Sequence, residues 1–262
     1  MSEKEIPKVI HYCWFGHNEL PSKYKKYINS WKKYCPDYKI IKWNEDNFDV
    51  TQNKYCHEAY KSKKWAFVSD YARLKIIYEN GGIYLDTDVE LIKPLDPIID
   101  KGIGFIGFQN TNEINTGLGF AAAKHNVCVE MMLNDYNNRA FILDDNKFNL
   151  TPCPAINTHS LMKHGLKIGL IASKNIQKLP GLNVYPVDFF NPYNRDTMKL
   201  KITDNTYSIH QYAATWFSSE SKKKQRLKKF IPNMVLNLRV LLIARRDIDN
   251  IKKELEKTNG VK

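Results

Sequence analysis

The 262 residues carry 40 Lys and Arg against 28 Asp and Glu, a formal net charge of +12, and 43% of them are hydrophobic. That hydrophobic share is ordinary for a folded protein and excludes disorder as a description of the whole chain. No uninterrupted run of about 18 apolar residues occurs, so the sequence predicts no membrane-spanning helix.

The positive charge is concentrated near the end of the sequence. Residues 221–262 hold 13 Lys and Arg against 4 Asp and Glu, which leaves a net +3 for residues 1–220. Apolar residues recur every three to four positions from Leu227 to Leu255, as in amphipathic helices. This basic helical tail either packs on the core with a solvated basic face or lies on an anionic membrane surface, and the sequence leaves both open. We therefore predict a globular domain over 1–220 and a separate tail over 221–262.

Cysteine usage and the first residues predict a cytoplasmic protein. The first seven residues are charged and lack the apolar core of a secretory signal. The five cysteines are odd in number and contain no Cys-x-x-Cys pair, so neither a zinc site nor a disulfide framework is expected. They are Cys13, Cys35, Cys56, Cys128 and Cys153.

Strands and helices alternate in the first third of the chain. Apolar periodicity predicts a strand over 6–15, a helix over 21–34, a strand over 38–43 and a helix over 65–79. Residues 51–64 are polar and weakly patterned. A strand–helix–strand opening is typical of a nucleotide-binding half in an α/β fold. No glycine-rich phosphate loop is present, so any phosphate must be held in another way.

A pair of acids follows the long helix. Asn80, Gly81 and Gly82 predict its left-handed end, and a strand over 83–91 is expected next. Asp86 and Asp88 would then lie on the same face of that strand, because side chains alternate with a period of two. Two acids so close repel each other unless a cation lies between them, and Asp-x-Asp suits a hard divalent ion that also holds a diphosphate.

The rest of the chain supplies one further candidate ligand. Glycine-spaced strands are predicted over 103–108 and 117–122, and the glycines indicate close approach of a backbone or a ligand. Helices are predicted over 126–139 and up to about His164, with strand-like segments at 167–171 and 182–187 and a loop at 188–193. The last strand and turn of the globular part are expected over 206–217, and they carry His210, which an Asp-x-Asp site could recruit as a third ligand.

Three motifs together resemble a known family. The run from Ser69 to Asp88, with its Asp-x-x-Arg and Asp-x-Asp elements, is similar to the signature of glycosyltransferase family 32. That family includes initiating mannosyltransferases, capsule enzymes and, more distantly, the glucosylating domains of clostridial toxins. The opening at 6–16 and the closing segment from His210 to Trp216 also resemble the family's motifs. The closing segment departs from the family pattern at Gln211 and Thr215, where many relatives have a second His and a Ser.

The resemblance implies a fold and a reaction. The fold would be of the GT-A type, an α/β architecture with a Rossmann-like nucleotide-binding half and a mixed central sheet. The reaction would be metal-dependent and anomer-retaining hexosyl transfer from a nucleotide sugar, with Mn²⁺ or Mg²⁺ as the ion. UDP-hexose is the favoured donor and GDP-mannose the second choice. The acceptor would be a glycan or a lipid-linked oligosaccharide in capsular or other surface polysaccharide synthesis.

The resemblance also implies roles for individual residues on the donor. Trp14 would stack on the base, Asn47 would lie near the nucleotide, and Tyr84 would support the nucleotide end. Asp70 and Arg73 would hold the hydroxyls of the transferred sugar and the phosphate side.

The remaining implied roles concern the ion and the reacting oxygen. Asp86 would contact the ribose and, through water, the metal, and Asp88 would bind the metal directly. His210 would complete the metal or diphosphate site, and Trp216 would approach the glycosidic oxygen. The sequence shows no second carboxylate suited to double displacement, so a same-face mechanism is expected.

Two other function classes stay open at this point. One is a module that binds or hydrolyses a nucleotide sugar without transfer to an acceptor. The other is a nucleic-acid-binding protein, which the charge of +12 would suggest. The second is disfavoured because the charge belongs to the tail and the globular part is nearly balanced, so no nucleic-acid partner is expected.

Overall fold

A seven-stranded mixed sheet forms the centre of the computed structural model, which describes residues 5–99, 102–194 and 199–212. The strands of this sheet are β1 (Val9–Cys13), β2 (Lys39–Trp43), β3 (Gly82–Tyr84), β5 (Gly104–Gly107), β6 (Phe120–Ala122), β7 (Gln177–Leu179) and β8 (Leu182–Tyr185). Two small sheets pair β4 (Val89–Leu91) with β11 (Ser208–His210) and β9 (Tyr193–Asn194) with β10 (Lys199–Leu200). The helices are α1 (Ser22–Tyr34), α2 (Lys54–Lys61), α3 (Trp65–Asn80), α4 (Val127–Asn137), α5 (Cys153–Met162) and α6 (Val187–Phe190).

The order of strands across the sheet is β2-β1-β3-β6-β5-β8-β7. Strand β1 pairs in parallel with β2 and β3, whereas β6 runs antiparallel to both β3 and β5. The α/β class and the parallel opening expected from the sequence, and the mixed central sheet implied by the family resemblance, are therefore confirmed. The carboxyl ends of β1, β2, β3 and β5 meet at one edge of the sheet, which is where ligands bind in open α/β sheets.

The core lies on both faces of this sheet. Helix α1 covers one face through Ile28 and the fully buried Trp31, which pack with Ile10 and Ile83. Helices α2 to α5 cover the other face, and α3 is buried around most of its circumference. Within the described residues, no helix is both long and apolar enough to cross a membrane.

Two glycines let α3 end directly against the sheet. Gly81 and Gly82 have φ angles of +68° and +101°. A Cβ atom at Gly82 would lie 2.8 Å from the Val9 carbonyl oxygen, and one at Gly81 would lie 2.9 Å from the Lys124 nitrogen. Any larger residue would push β3 away from β1, so the glycine pair that predicted a helix end also permits the strand pairing.

The structure differs from the sequence-based elements in five places. A 3₁₀ turn over Thr116–Leu118 occupies the start of the strand predicted over 117–122, which is shortened to β6. The strand expected over 83–91 is broken, because residues 85–88 form a turn between β3 and β4. Residues 51–64 contain α2, whose first turn is capped by the Asn53 side chain accepting a hydrogen bond from the Cys56 nitrogen. No strand occupies 167–171, and residues 187–190 form a short helix instead of a loop. The boundary at 220 and the tail at 221–262 lie outside the described residues.

Candidate active site

The Asp-x-Asp pair lies in a turn and not along a strand. The Val89 nitrogen donates to the Asp86 carbonyl oxygen at 3.0 Å, which closes the turn before β4 begins. The prediction that both acids share one strand face is therefore wrong. A turn directs both carboxylates to one place without the alternation of a strand, and it lies at the carboxyl edge of the sheet.

His210 reaches this turn through the small sheet of β4 and β11. His210 pairs with Val89 in that sheet, so it lies beside Asp88. Its Nε2 atom is 3.1 Å from Asp88 Oδ1, and one ligand atom from each of Asp86, Asp88 and His210 lies within 4.8 Å of the others. The neighbouring Gln211 uses its side chain to donate to Glu90 Oε2 at 2.8 Å, so that side chain points away from the cluster.

A buried arginine pairs with two carboxylates of the site. Arg73 has a side chain that is only 5% exposed, and its Nη2 atom lies 3.1 Å from Asp70 and 3.3 Å from Asp86. Its Nε atom donates to the Ser69 carbonyl oxygen one turn earlier on α3. Because Asp70 and Arg73 are three residues apart on a helix, they face the same way, and the tertiary fold then adds Asp86.

Tyr84 supports this network from below. Its hydroxyl donates to Asp86 Oδ1 at 3.0 Å, and the Arg73 guanidinium lies 5.2 Å from the centre of its ring. Burial raises the pKa of Tyr84 well above its usual range, so the hydroxyl keeps its proton and stays a donor. The structure therefore places Tyr84 behind Asp86, beneath the site.

Burial dominates the electrostatics of the two acids that contact Arg73. Desolvation raises the pKa of Asp70 to about 6, although Arg73 lowers it. Desolvation also raises the pKa of Asp86, and Asp88 adds to that effect while Arg73 and His210 oppose it. A further cation beside Asp86 and Asp88 would favour their charged forms. Two carboxylates suit either Mn²⁺ or Mg²⁺, and an imidazole nitrogen beside them suits Mn²⁺ better than the harder Mg²⁺. The residues therefore fit the implied ion best as Mn²⁺, and metal binding by them stays a prediction.

A cavity of about 610 Å³ contains this cluster. One end is aromatic, with Trp14, Tyr24 and Trp65 in its wall. The other end is polar, and it includes Gln109, Glu113 and Asn115 from the segment after β5, together with Asp70, Arg73 and Cys153. Gly117 allows the close approach of that segment, because a Cβ atom there would lie 2.5 Å from Asp86 Oδ2.

The remaining predicted residues have different locations. Trp14 lines the cavity, and its ring lies 5.4 Å from that of Tyr24 while its Nε1 donates to the Asn18 carbonyl oxygen. Asn47 is exposed and does not line the cavity. Its side chain closes the turn after β2 by bonding the Asn44 nitrogen and the Lys42 oxygen, each at 2.9 Å. Trp216 and Thr215 lie outside the described residues.

Sequence reasoning missed several residues at the polar end. Gln109 Nε2 donates to Glu113 Oε2 at 2.7 Å, and Asn115 Nδ2 donates to Gln109 Oε1 at 3.0 Å, so three side chains form one chain of hydrogen bonds at the wall. The glycines at 104, 107 and 117 indicated close approach here but could not say to what. Cys153 carried no signal, because only the fold brings α5 to Arg73, with 3.7 Å between Sγ and Nη1.

Comparison with known proteins agrees with this site. Residues 21–102 match the family described as a glycosyltransferase sugar-binding region containing a DXD motif. Inositol phosphoceramide mannosyltransferase 1 of Schizosaccharomyces pombe is 26% identical over 151 residues, covering 53% of this chain and 46% of that protein. Inositol phosphoceramide mannosyltransferase 3 of the same yeast is 35% identical over 120 residues, covering 44% and 33%.

A third curated relative and one solved structure also match this chain. The initiation-specific alpha-1,6-mannosyltransferase of Candida albicans is 26% identical over 125 residues, covering 44% of this chain and 32% of that protein. The chain thus spans between a third and about half of the length of these three relatives. Among solved structures, the PaToxG glycosyltransferase aligns with a TM-score of 0.48 and 20% identity, covering 61% of this chain and 70% of that one.

Proposed function

We propose that this chain, whose residues 21–102 match the DXD-containing sugar-binding region of glycosyltransferases, transfers a hexose from a nucleoside diphosphate to the hydroxyl of a glycan acceptor. The observation that carries the proposal is the convergence of Asp86, Asp88 and His210 within 4.8 Å at the wall of a cavity that also contains buried Arg73. A fixed positive charge beside a candidate cation site suits a diphosphate leaving group.

The residues of the chain have distinct tasks in this reaction. Arg73 supplies positive charge where the leaving diphosphate becomes more negative, and its pairs with Asp70 and Asp86 orient it before the ligand arrives. Asp86, Asp88 and His210 would hold a divalent ion, which when bound would neutralise charge on the diphosphate. Asp70, which lines the cavity, would accept hydrogen bonds from sugar hydroxyls.

Two mechanisms would retain the anomeric configuration, and trapping of a glycosylated enzyme separates them. We infer a same-face reaction, in which the departing phosphate oxygen takes the proton of the acceptor hydroxyl and the anomeric configuration is retained. Contrary to the expectation that no second carboxylate would suit a double displacement, Glu113 lines the cavity and is a candidate nucleophile, with Gln109 and Asn110 donating to its Oε2. NMR of the first product tests retention, and an inverted anomer contradicts both routes. A covalent glycosyl group on Glu113, detected by mass spectrometry, would contradict the same-face route and support a double displacement.

The donor experiment is a binding panel. UDP-glucose, UDP-galactose and GDP-mannose are each added with Mn²⁺, and the shift of the unfolding temperature is recorded. A ligand at about 100 times its Kd stabilises the folded state by about 2.7 kcal/mol, which is readily measured. Asp88→Asn should lose the shift. Equal shifts with and without Mn²⁺ would contradict the metal dependence.

A module that hydrolyses or only binds the donor is the alternative from the same fold. It binds nucleotide and metal as the transferase does, but it forms no new glycosidic bond. Product analysis by mass spectrometry, with and without a mixture of glycan acceptors, separates the two. Free hexose as the sole product in both samples would favour the alternative.

We also propose that the acceptor is a lipid-linked glycan on the cytoplasmic face of a membrane. The basic segment 222–262 would bind that membrane surface. The support is its net charge of about +9 and its amphipathic periodicity. Deleting 222–262 should lower binding to anionic liposomes and leave donor binding intact. If the truncated protein binds anionic liposomes as well as the full chain does, the proposed membrane role is contradicted.

A further inference from the structure

Two consecutive apolar side chains project from the loop between α5 and β7. Ile171 is 82% exposed and Leu170 is 62% exposed, the two largest values among the large hydrophobic side chains of the described residues. Leu166 and Ile168 of the same loop pack into the core, so the loop is already anchored without this pair. Single exposed apolar residues are ordinary, whereas two adjacent ones with this exposure call for a reason. We call Leu170 and Ile171 the apolar tip.

Hydrogen bonds hold this loop in one shape. The Gln177 side chain accepts from the Lys167 nitrogen at 2.9 Å and donates to the Lys167 oxygen at 2.8 Å. The Asn175 side chain donates to the Ile171 oxygen at 3.0 Å. The exposure of the apolar tip therefore belongs to a built loop whose backbone is paired on both sides of the tip.

The apolar tip lies beside the polar end of the active-site cavity. The Gly169 nitrogen donates to the Thr111 oxygen at 2.7 Å, and Thr111 belongs to the segment after β5 that places Glu113 in the cavity wall. Leu150, which is 60% exposed, lines the same cavity. This end also contains Asp70, which we assign to the hexose. The acceptor hydroxyl must reach the hexose, so it approaches the end that the apolar tip borders.

The chain around the apolar tip is positively charged and free of acids. Residues 146–187 contain five Lys and no Asp or Glu, and Lys167 and Lys174 stand exposed on either side of the tip. Lys147 pairs with Asp145, and the other four lysines form no ion pair within the part of the chain that the structure describes. An anionic surface would supply the missing negative charge.

We propose that the apolar tip inserts into the interface of an anionic membrane and holds the polar end of the cavity towards the lipid; the inference rests on the lipid-linked acceptor proposed above. Leu170 and Ile171 would enter the boundary between headgroups and acyl chains, while the flanking lysines reach the lipid phosphates. A membrane fits better than a second copy of the chain, because two copies would bring like charges together. A protein partner is disfavoured because the tip offers neither an aromatic residue nor an arginine as an anchor.

A fluorescent probe on the tip tests this contact directly in the full chain. The five native cysteines are buried, so Ile171→Cys can be labelled with an environment-sensitive dye, and the labelled native chain gives the background. With vesicles of phosphatidylglycerol and phosphatidylcholine in equal parts, we expect the emission to shift to the blue and to be quenched by spin-labelled lipid.

Val127→Cys is the matched control for the labelled tip. Val127 is 37% exposed and begins α4 shortly after Ala122, which pairs with Gly82 at the start of β3. It therefore lies at the edge of the sheet opposite the Asp-x-Asp turn, and a dye there should not respond to the vesicles.

Partitioning onto the same vesicles, measured by sedimentation, gives an independent readout. Leu170→Ser combined with Ile171→Ser should weaken partitioning by about tenfold for each side chain. Both side chains are exposed, so the unfolding temperature should not fall. Lys174→Gln should weaken partitioning about fivefold, as for the loss of one charge near the lipid surface. Val127→Ser should leave partitioning unchanged.

The outcomes separate this inference from the roles proposed above. If the protein sediments with vesicles while the dye at position 171 does not respond, another part of the chain binds the membrane and the inference is overturned. The same holds if the double serine variant partitions as the native chain does, or if it only dissociates a dimer in analytical ultracentrifugation. Failure of every nucleoside diphosphate to bind with Mn²⁺ would contradict the proposed function without altering the response of the dye.

Discussion

Replacing Arg73 with methionine tests the electrostatic core of the site. The side chain is 5% exposed and pairs with Asp70 and Asp86, whose side chains are 11% and 26% exposed. Removing one partner of a buried pair costs about 3–5 kcal/mol, because a charge is left without compensation. Water reaches part of Asp86, so we expect about 3 kcal/mol at pH 8. Arg73→Lys keeps the charge but cannot bridge both carboxylates, and about 1–2 kcal/mol is expected.

The measurement is urea unfolding, followed by circular dichroism in EDTA so that no divalent ion contributes. Adding Asp70→Asn to Arg73→Met should recover at least about 1 kcal/mol, because it removes one uncompensated carboxylate. The cost of Arg73→Met should also shrink at pH 5, below the pKa of about 6 that burial gives Asp70. A cost below about 1 kcal/mol at pH 8, or no recovery in the double variant, would refute the reasoning.

Three further predictions concern neighbouring groups. Burial raises the pKa of Asp70 to about 6 in the folded state from an ordinary 3.8, so the folded state holds an extra proton between those pH values. The free energy of unfolding should therefore fall as pH rises from 4 to 6, by at most about 3 kcal/mol. Unfolding measured across this pH range should show the slope, and Asp70→Asn should remove it. Asp88→Asn should weaken Mn²⁺-dependent nucleotide binding about 100-fold in calorimetry without lowering stability in EDTA, and a loss of stability there would mark a structural role. Gly16→Ala should cost about 1–3 kcal/mol in thermal unfolding, since its Cβ would meet Trp65, and unchanged stability would contradict the described packing.

The parallel opening of the sheet could be read from local patterns. β1 and β2 are short apolar segments, and α1 repeats Tyr24, Ile28 and Trp31 at helical spacing, so burial of each face follows from the period. The glycine pair at 81 and 82 predicted the end of α3 for a local reason, the positive φ that both adopt. Helix α2 was missed, because its start depends on a single cap, Asn53, within a polar segment.

The Asp-x-Asp turn shows where local reading fails. A period of two suggests one strand through 83–91, but β3 and β4 pair with different partners, β1 and β6 for the first and β11 for the second. The chain must change direction between them, and residues 85–88 make that change. Which residues pair across a sheet is a property of segments far apart in the sequence, so no window around Asp86 contains it.

By itself the sequence determined which groups this protein has for its chemistry, namely two acids in a short motif, an arginine one helical turn beyond Asp70, and a histidine more than 100 residues later. Those assignments depend on spacing along one element or on a family motif, and spacing is visible locally. Only the tertiary structure decided that Arg73 bridges Asp70 and Asp86, that β11 carries His210 to Asp88, and that Glu45 accepts a hydrogen bond from the Gly16 nitrogen. These contacts join residues from different elements, and their distances are set by the packing of the whole sheet and its helices.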